Sequence, residues 1–290
     1  MDIPLLRAFV AVADAGSITR AAEALHLTQP TISKRIAQLE SGLGKPLFNR
    51  LGRELPLAEA GVALLPHARA VLAELASGQR ALAQLHDVVA GRLAIGTSHH
   101  IGLHRLPAVL KAFTLRHPAV DLDIQFMDSE VACEAVLAGK LELGIVTLPT
   151  VPLAKLRTRL VWPDPLSVVV APSHPLAALK RPRLTSLAAH PAVLPDAGTY
   201  THRIVKAALQ AHGVTPQVRL ATNFLETLKM LVAIGLGWSV LPRSMLDDSL
   251  IALPIKELAL TRELGVVWHE RRALGNAARA LMQLLPEHRE

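Results

Sequence analysis

Residues 91–290 alternate between strand-like and helix-like segments, and this alternation limits the possible folds more than any other feature of the chain. In Val120–Phe126, apolar residues alternate with polar ones, which is typical of a half-buried strand. A helical pattern containing Leu106 and Phe113 precedes it, and Leu93–Gly96 forms another short strand-like run. The pattern favours α/β architecture with open, largely parallel sheets, which bind ligands at the carboxyl ends of their strands.

The first 57 residues have a different pattern, in which three short helical segments precede a hairpin. The first helix is expected to end at Gly16, and Ser17 is a suitable N-cap for the second. Thr28 is placed to cap the third helix, with Pro30 in its first turn. Two short extended pieces between Lys45 and Leu57 then predict a β-hairpin. Two helices joined by a tight turn, followed by a hairpin, predict a winged helix-turn-helix.

A single long helical stretch, predicted from Ala58 to Val89, separates these two regions. Apolar residues follow a heptad pattern in which Leu75 and Leu82 occupy equivalent positions. Such a helix either packs on its own domain or pairs with a second copy, and we expect dimerisation. The predicted organisation is therefore a first domain over residues 1–58, a linker helix over 59–90 and an α/β domain over 91–290.

Composition excludes several classes of protein. The chain has 290 residues, 51% of them hydrophobic and 19% charged, so it is expected to form packed cores rather than to be disordered. A single cysteine, Cys133, excludes an intrachain disulfide and a cysteine-rich zinc module. No apolar run is long enough to span a membrane, and no signal peptide is evident, so a cytoplasmic location is expected. The net charge of +7 favours an anionic partner.

Several segments of the sequence resemble the LysR-type transcriptional regulators. The resemblance is carried by Leu27-Thr28-Gln29-Pro30-Thr31-Ile32-Ser33-Lys34, Leu43-Gly44-Lys45-Pro46-Leu47-Phe48 and Glu59-Ala60-Gly61, and more diffusely by residues 91–290. It implies a winged helix-turn-helix, a dimerising linker helix and a two-lobed effector domain similar to periplasmic binding proteins. The chain would cross between lobes near residues 164 and 264, so that lobe I combines about 91–164 with 265–290 and lobe II covers about 165–264.

The resemblance also implies the partners. Members of the family typically bind interrupted inverted repeats in double-stranded promoter DNA as homodimers or dimers of dimers, and a small-molecule effector changes the DNA bend. A solute-binding protein or an α/β enzyme with an N-terminal helical domain is the alternative. A regulator is favoured because no signal peptide is evident and an enzyme has no use for a helix-turn-helix. No catalytic residue and no cofactor are predicted.

Polar residues at the start of the third helix are the candidates for reading DNA. Gln can bond both edge atoms of adenine, and Ser, Thr, Lys and Arg reach bases or phosphates. Two arginines on the hairpin are candidates for the adjacent minor groove. The alternative is an ordinary solvated helix face. The candidate DNA-binding residues are Thr28, Gln29, Pro30, Thr31, Ser33, Lys34, Arg35, Arg50 and Arg53.

Hydroxyl and imidazole side chains follow the predicted strands of the α/β domain, at the strand ends where such sheets bind ligands. Residues 91–290 hold 22 basic and 16 acidic residues, a net charge of +6, which favours an anionic or zwitterionic effector. The alternative is helix capping, because caps use the same residue types. The candidate effector-binding residues are Thr97, Ser98, His99, His100, Asp128, Ser129, Thr147, Thr199, Tyr200, Thr222 and Asn223.

Two further patterns are weaker. His100 and His104 have the four-residue spacing of zinc ligands on a helix, but the neighbouring sequence offers no third ligand, so no metal site is predicted. Ser129 is placed to cap a helix through Val136 and Leu137, and Asn223 and Glu226 form an N-terminal capping signature for a helix through Leu228.

Overall fold

The structure is a computed structural model that describes residues 1–49, 55–83 and 88–287. The chain divides into two compact units. The first comprises residues 1–86 with 138–140 and 272–274, and the second comprises 87–137, 141–271 and 275–290.

The described residues of the first unit form four helices: α1 Ile3–Ala15, α2 Ile18–Ala24, α3 Gln29–Leu43 and α4 Glu59–Ala83. Gly16 and Gly44 end α1 and α3 with φ values of 63° and 66°, a left-handed conformation that glycine adopts without steric cost. Ser17 and Thr28 occupy the predicted N-cap positions, but neither side chain makes a capping hydrogen bond. The Thr28 hydroxyl instead lies 2.8 Å from that of Thr31.

The predicted hairpin is present where the structure describes it. Phe48 pairs with Leu57 in an antiparallel bridge, and the Asn49 amide donates to the Pro56 carbonyl at 2.8 Å. Arg50 and Arg53 lie outside the described residues. The predicted helix to Val89 is wrong at its end, because residues 88–90 are not helical.

The second unit contains the α/β elements. Its strands are β1 Gly91–Thr97, β2 Val120–Phe126, β3 Leu143–Thr147, β4 Leu156–Val170, β5 Pro191–Leu194, β6 Gln217–Ala221, β7 Ser239–Pro242, β8 Ile251–Ala252 and β9 Leu260–His269. Its helices are α5 His99–His104, α6 Leu106–Arg116, α7 Ser129–Leu137, α8 Tyr200–Gln210, α9 Leu225–Ala233 and α10 Asn276–Leu284.

The main sheet has the strand order β2-β1-β3-β9-β4-β7, and β8 pairs with β4. Strands β1, β2 and β3 are parallel, but every pairing of β4 and β9 is antiparallel. The expectation of largely parallel sheets is therefore wrong for this sheet. The two long strands run antiparallel to each other from the Leu156–His269 pair to the Leu166–Leu260 pair. They place Asp164 opposite Arg262 near the two predicted crossings.

Separate apolar cores lie toward the two ends of these long strands. One packs α7 against β3 and β9 and includes Cys133 and Val136. Burial raises the pKa of the Cys133 thiol to about 11, consistent with a packing role for this cysteine. The other core contains Val168 and Leu209 and is centred on Trp238, whose indole nitrogen donates to the Leu187 carbonyl at 3.1 Å. No described helix has the length and apolar character needed to cross a bilayer.

Candidate functional site

A cavity that is open to solvent lies where the ends of β1 and β3 meet α5, α7, α8 and α9. Its position agrees with the rule that α/β sheets bind ligands beyond the carboxyl ends of parallel strands. The residues that line it are Ser98, His99, His100, Asp128, Ser129, Glu130, Thr147, Pro195, Thr199, Tyr200, Thr201, Asn223, Phe224, Leu225 and Arg262.

Nine of the eleven candidate effector-binding residues line this cavity. The exceptions are Thr97 and Thr222. Thr97 is buried and its hydroxyl donates to the Ile145 carbonyl at 2.8 Å, so it joins β1 to β3. The Thr222 hydroxyl accepts from the Phe224 amide at 3.4 Å. Both side chains thus have local structural roles.

Two residues expected to cap helices instead make long-range hydrogen bonds. Ser129 is the first residue of α7, and its hydroxyl accepts from the Thr147 amide of β3 at 3.0 Å. Asn223 does not cap α9. Its side chain accepts from the Asp196 amide at 3.0 Å and donates to Asp128 at 2.8 Å. These bonds hold the polar wall of the cavity in place.

The most buried charge of the cavity, Arg262, was not predicted from the sequence. It is 4% exposed, and its Nε donates to the Asp164 carboxylate at 2.6 Å. One terminal nitrogen donates to the Thr201 hydroxyl at 3.3 Å, and the other, Nη2, is buried with no hydrogen-bond partner among the described residues. Burial lowers the pKa of Arg262, and Asp164 opposes that shift. The sequence offered one signal for this pair: Asp164 and Arg262, which have opposite charges, lie near the two predicted crossings.

Carboxylates lie on another part of the same wall. Asp128 is exposed and held by Asn223, whereas Glu130 is half-buried and accepts a hydrogen bond from the Tyr200 amide. Burial raises the pKa of Glu130. The cavity therefore offers a cationic group and carboxylate groups to one small ligand.

Aromatic rings flank the mouth of the cavity. The His99 ring stacks on Phe126 with centroids 5.2 Å apart and lies 4.9 Å from the ring of Phe224. Both phenylalanines are about half exposed. They provide an apolar surface beside the polar wall.

A histidine pair and a glutamate lie at one edge of the cavity. The His104 Nε2 and Glu226 Oε1 atoms are 2.8 Å apart, and the His100 Nδ1 atom lies 3.7 Å from the same oxygen. Burial, followed by the charge of Arg262, lowers the pKa of His100 to about 3, so its ring is neutral. The sequence pattern assigned Glu226 to helix capping and missed this contact.

In the first unit, α3 presents an apolar face and a polar face. Ile32, Ile36 and Leu39 are buried against the other helices. On the polar side, Thr28, Gln29, Pro30, Ser33 and Lys34 are exposed, and Thr31 and Arg35 are partly exposed.

The carboxylate of Glu40, at the other end of α3, accepts from the Leu47 amide at 2.8 Å. The Phe48 amide lies 3.4 Å from the same oxygen. These bonds attach the start of the hairpin to α3, as a winged helix-turn-helix requires.

Comparison with known proteins identifies both regions. Residues 3–62 match the family model described as bacterial regulatory helix-turn-helix protein, lysR family, and residues 86–290 match the LysR substrate binding domain. The HTH-type transcriptional regulator CbbR of Rhodospirillum rubrum is 31% identical over 97% of this chain and 94% of its own length.

Solved structures agree over the whole chain. A full-length OxyR variant from Pseudomonas aeruginosa is 26% identical with a TM-score of 0.75, covering 99% of this chain and 98% of that one. Full-length CbnR in complex with its target DNA shares the fold, with 23% identity and a TM-score of 0.64 over 99% of this chain and 98% of that one. These matches favour a regulator over a solute-binding protein or an enzyme. The chain belongs to the LysR family of transcriptional regulators, with a helix-turn-helix that binds DNA and an α/β domain that binds a small-molecule effector.

Proposed function

We propose that this regulator reads promoter DNA with the exposed first turns of α3 and that a small zwitterion in the cavity controls it. The observation that carries the effector proposal is the unpartnered Nη2 of Arg262 in a wall that also contains carboxylates. The DNA proposal depends on Gln29, Ser33 and Lys34, whose side chains are exposed on one face of α3. Promoter DNA as the target implies action in the cytoplasm.

The charge distribution favours a zwitterion over a simple anion. Arg262 is the only lysine or arginine among the described residues that line the cavity, so the net charge of +6 in residues 91–290 is located mainly elsewhere. A buried guanidinium with a free N–H group suits a carboxylate, because such charge-assisted hydrogen bonds are strong. Asp128 and Glu130 suit an ammonium group at the other end of the ligand. An amino acid or a related molecule has both groups.

The polar side chains between these charged groups would supply neutral hydrogen bonds. Ser98 and Thr199 line the cavity, but the Thr199 hydroxyl already caps α8 by accepting from the His202 amide at 3.1 Å. Ser98 occupies the N-cap position of α5 without making a capping hydrogen bond. We therefore assign Ser98 to the ligand and Thr199 mainly to the helix.

Assembly is part of the proposal. On α4, Leu75 is 37% exposed and Leu82 is 67% exposed. Both lie on the predicted heptad seam, and a second copy of α4 would cover them. A homodimer would present two copies of α3 to an inverted repeat, since dimeric helix-turn-helix proteins bind two half-sites. A dimer of dimers extends the same arrangement.

Thermal unfolding of the full-length protein with three matched ligand sets tests the effector proposal. The sets are amino acids, the corresponding carboxylic acids without the amine, and the corresponding amines without the carboxylate. A ligand at 100 times its Kd stabilises a protein by about 2.7 kcal/mol, which raises the melting temperature measurably. We expect an amino acid to give the largest shift and to change the mobility of the complex with the upstream DNA in a gel-shift assay.

Variants identify the groups involved. Asp128→Asn should weaken binding of the amino acid and leave binding of the matched carboxylic acid unchanged. Asp121→Asn, an exposed residue of β2, is the control and should change neither. If only the carboxylic acids stabilise the protein and Asp128→Asn has no effect, the effector is a simple anion and not a zwitterion.

A further inference from the structure

We propose that His100, His104 and Glu226 form a binding site for a divalent transition metal, with Zn²⁺ as the best match. The nitrogen and oxygen atoms that these residues offer all lie within 4.8 Å of one another. This proposal does not rest on the proposed effector: His100 also lines the cavity, but the effector proposal uses Arg262, Asp128, Glu130 and Ser98. It would join α5 to α9, since Glu226 lies 122 residues after His104 in the chain.

The geometry of the three groups is close to that of a metal site. His100 and His104 are separated by one turn of α5, and their ring centroids are 4.7 Å apart. Glu226 Oε1 lies 2.8 Å from His104 Nε2 and 3.7 Å from His100 Nδ1. In a tetrahedral zinc site with bonds near 2.1 Å, ligand atoms are roughly 3.4 Å apart. Small side-chain rotations therefore suffice to place a metal between them.

The burial of His100 without a hydrogen-bond partner is a second and independent observation. Its side chain is only 4% exposed, yet neither ring nitrogen has a hydrogen-bond partner among the described residues. Buried polar groups in proteins nearly always have a partner, so an unpartnered buried imidazole points to a ligand. Its Nδ1 faces Glu226, where a metal would bind.

The donor set selects the kind of metal. Two imidazoles and one carboxylate are the ligands of many catalytic zinc sites, which leave the fourth position open. Magnesium and calcium prefer oxygen ligands throughout, so the two histidines exclude them. The nearby Arg262 disfavours any cation, but Asp164 neutralises it at 2.6 Å. Metal binding would fix the separation of α5 and α9, both of which contribute residues to the lining of the cavity.

Calorimetric titration of the full-length protein with Zn²⁺ tests the site, after dialysis against a chelator and without any organic ligand. We expect one tight site per chain. Co²⁺ at the same site should give the visible absorption of a four-coordinate ion with nitrogen and oxygen ligands. Two variants, His104→Ala and Glu226→Gln, should each weaken binding by more than the 10- to 100-fold that outer-shell partners typically contribute. Both residues are about 40% exposed, so these changes should leave the fold intact, which circular dichroism checks.

Matched controls separate this site from the other histidines of the chain. His212→Gln changes an exposed histidine and should leave Zn²⁺ binding unchanged. Ser98→Ala removes a residue assigned to the effector and should also leave it unchanged, so failure of the effector proposal would not affect this result. If either variant does not fold, His104→Gln supplies the same test. Zn²⁺ affinity that is unchanged in folded variants of His104 and Glu226, or the absence of a stoichiometric site in the parent, would overturn the proposal.

Discussion

The recognition helix and the effector cavity are built in opposite ways. The candidate DNA-reading residues of α3 come from one short segment, residues 28–35, and lie outside the buried face formed by Ile32 and Ile36. The cavity draws residues from 98 to 262, and several of its polar groups are buried. On the proposed function, DNA binding and folding therefore depend on different side chains in α3. In the cavity, the same groups would serve folding and ligand binding.

Arg262→Met should give the largest effect on stability. It leaves the Asp164 carboxylate, 1% exposed, without its closest partner, and breaking a buried ion pair typically costs about 3–5 kcal/mol. We expect the low end of this range, because Arg105 lies 3.5 Å from the other Asp164 oxygen. Urea unfolding measures the change. Arg219→Met, on an exposed position of β6, is the control and should stay within about 0.5 kcal/mol.

A stable Arg262→Met variant that fails to respond to ligand would break the comparison. It would show that the cavity separates folding from binding as α3 does.

Charge on the predicted seam of α4 tests a third region, whose exposed side chains are proposed to mediate dimerisation. Leu75→Glu with Leu82→Glu should dissociate the dimer and lower operator affinity by at least about 100-fold, because linked binding to the second half-site is lost. The unfolding free energy of the monomer should change little, since Leu82 is 67% exposed. Sedimentation measures the oligomeric state, and a double mutant that remains a dimer would refute the heptad assignment.

Gln29→Ala and Ser33→Ala should each lower operator affinity by about 1–3 kcal/mol and relax specificity at one position of each half-site. Stability should not change, because both side chains are exposed. Gel-shift titration measures the affinity. Gln38→Ala, exposed on a later turn of the same helix, is the matched control. If Gln29→Ala and Ser33→Ala bind the operator as tightly as the control Gln38→Ala, another face of the domain docks on DNA.

Thr97→Val and Ser98→Ala test whether two neighbouring residues have different roles, Thr97 in stability and Ser98 in ligand binding. Thr97→Val removes the hydrogen bond to Ile145 and should cost about 0.5–1.5 kcal/mol of stability, while the response to ligand remains. Ser98→Ala should leave the stability unchanged and weaken the response to ligand. Chemical unfolding and ligand-dependent gel shifts measure the two quantities, and a Thr97→Val variant that is fully stable but unresponsive would return Thr97 to the site.

Sequence patterns predict most of the elements. The residues of β2 were predicted without error because its alternation is regular, and α1 ends at the predicted Gly16. The helix α5 was not predicted, because its six residues are too few for a recognisable period. The capping interpretations of Ser129 and Asn223 were wrong because these side chains find partners in distant strands and loops.

The sequence by itself determined the family, because its motifs resemble those of known regulators. It also determined the winged helix-turn-helix and the edge of the sheet where the cavity lies, because these follow from local periodicity and strand ends. The tertiary structure alone decided the charged groups of the site. Arg262 meets Asp164 98 residues away, and Glu226 meets His104 122 residues away. In the sequence, Glu226 looks like part of a helix cap and Arg262 like one more basic residue. Whether a charged side chain is buried, and which partner it meets, depends on how distant segments pack, and local sequence patterns do not contain that information.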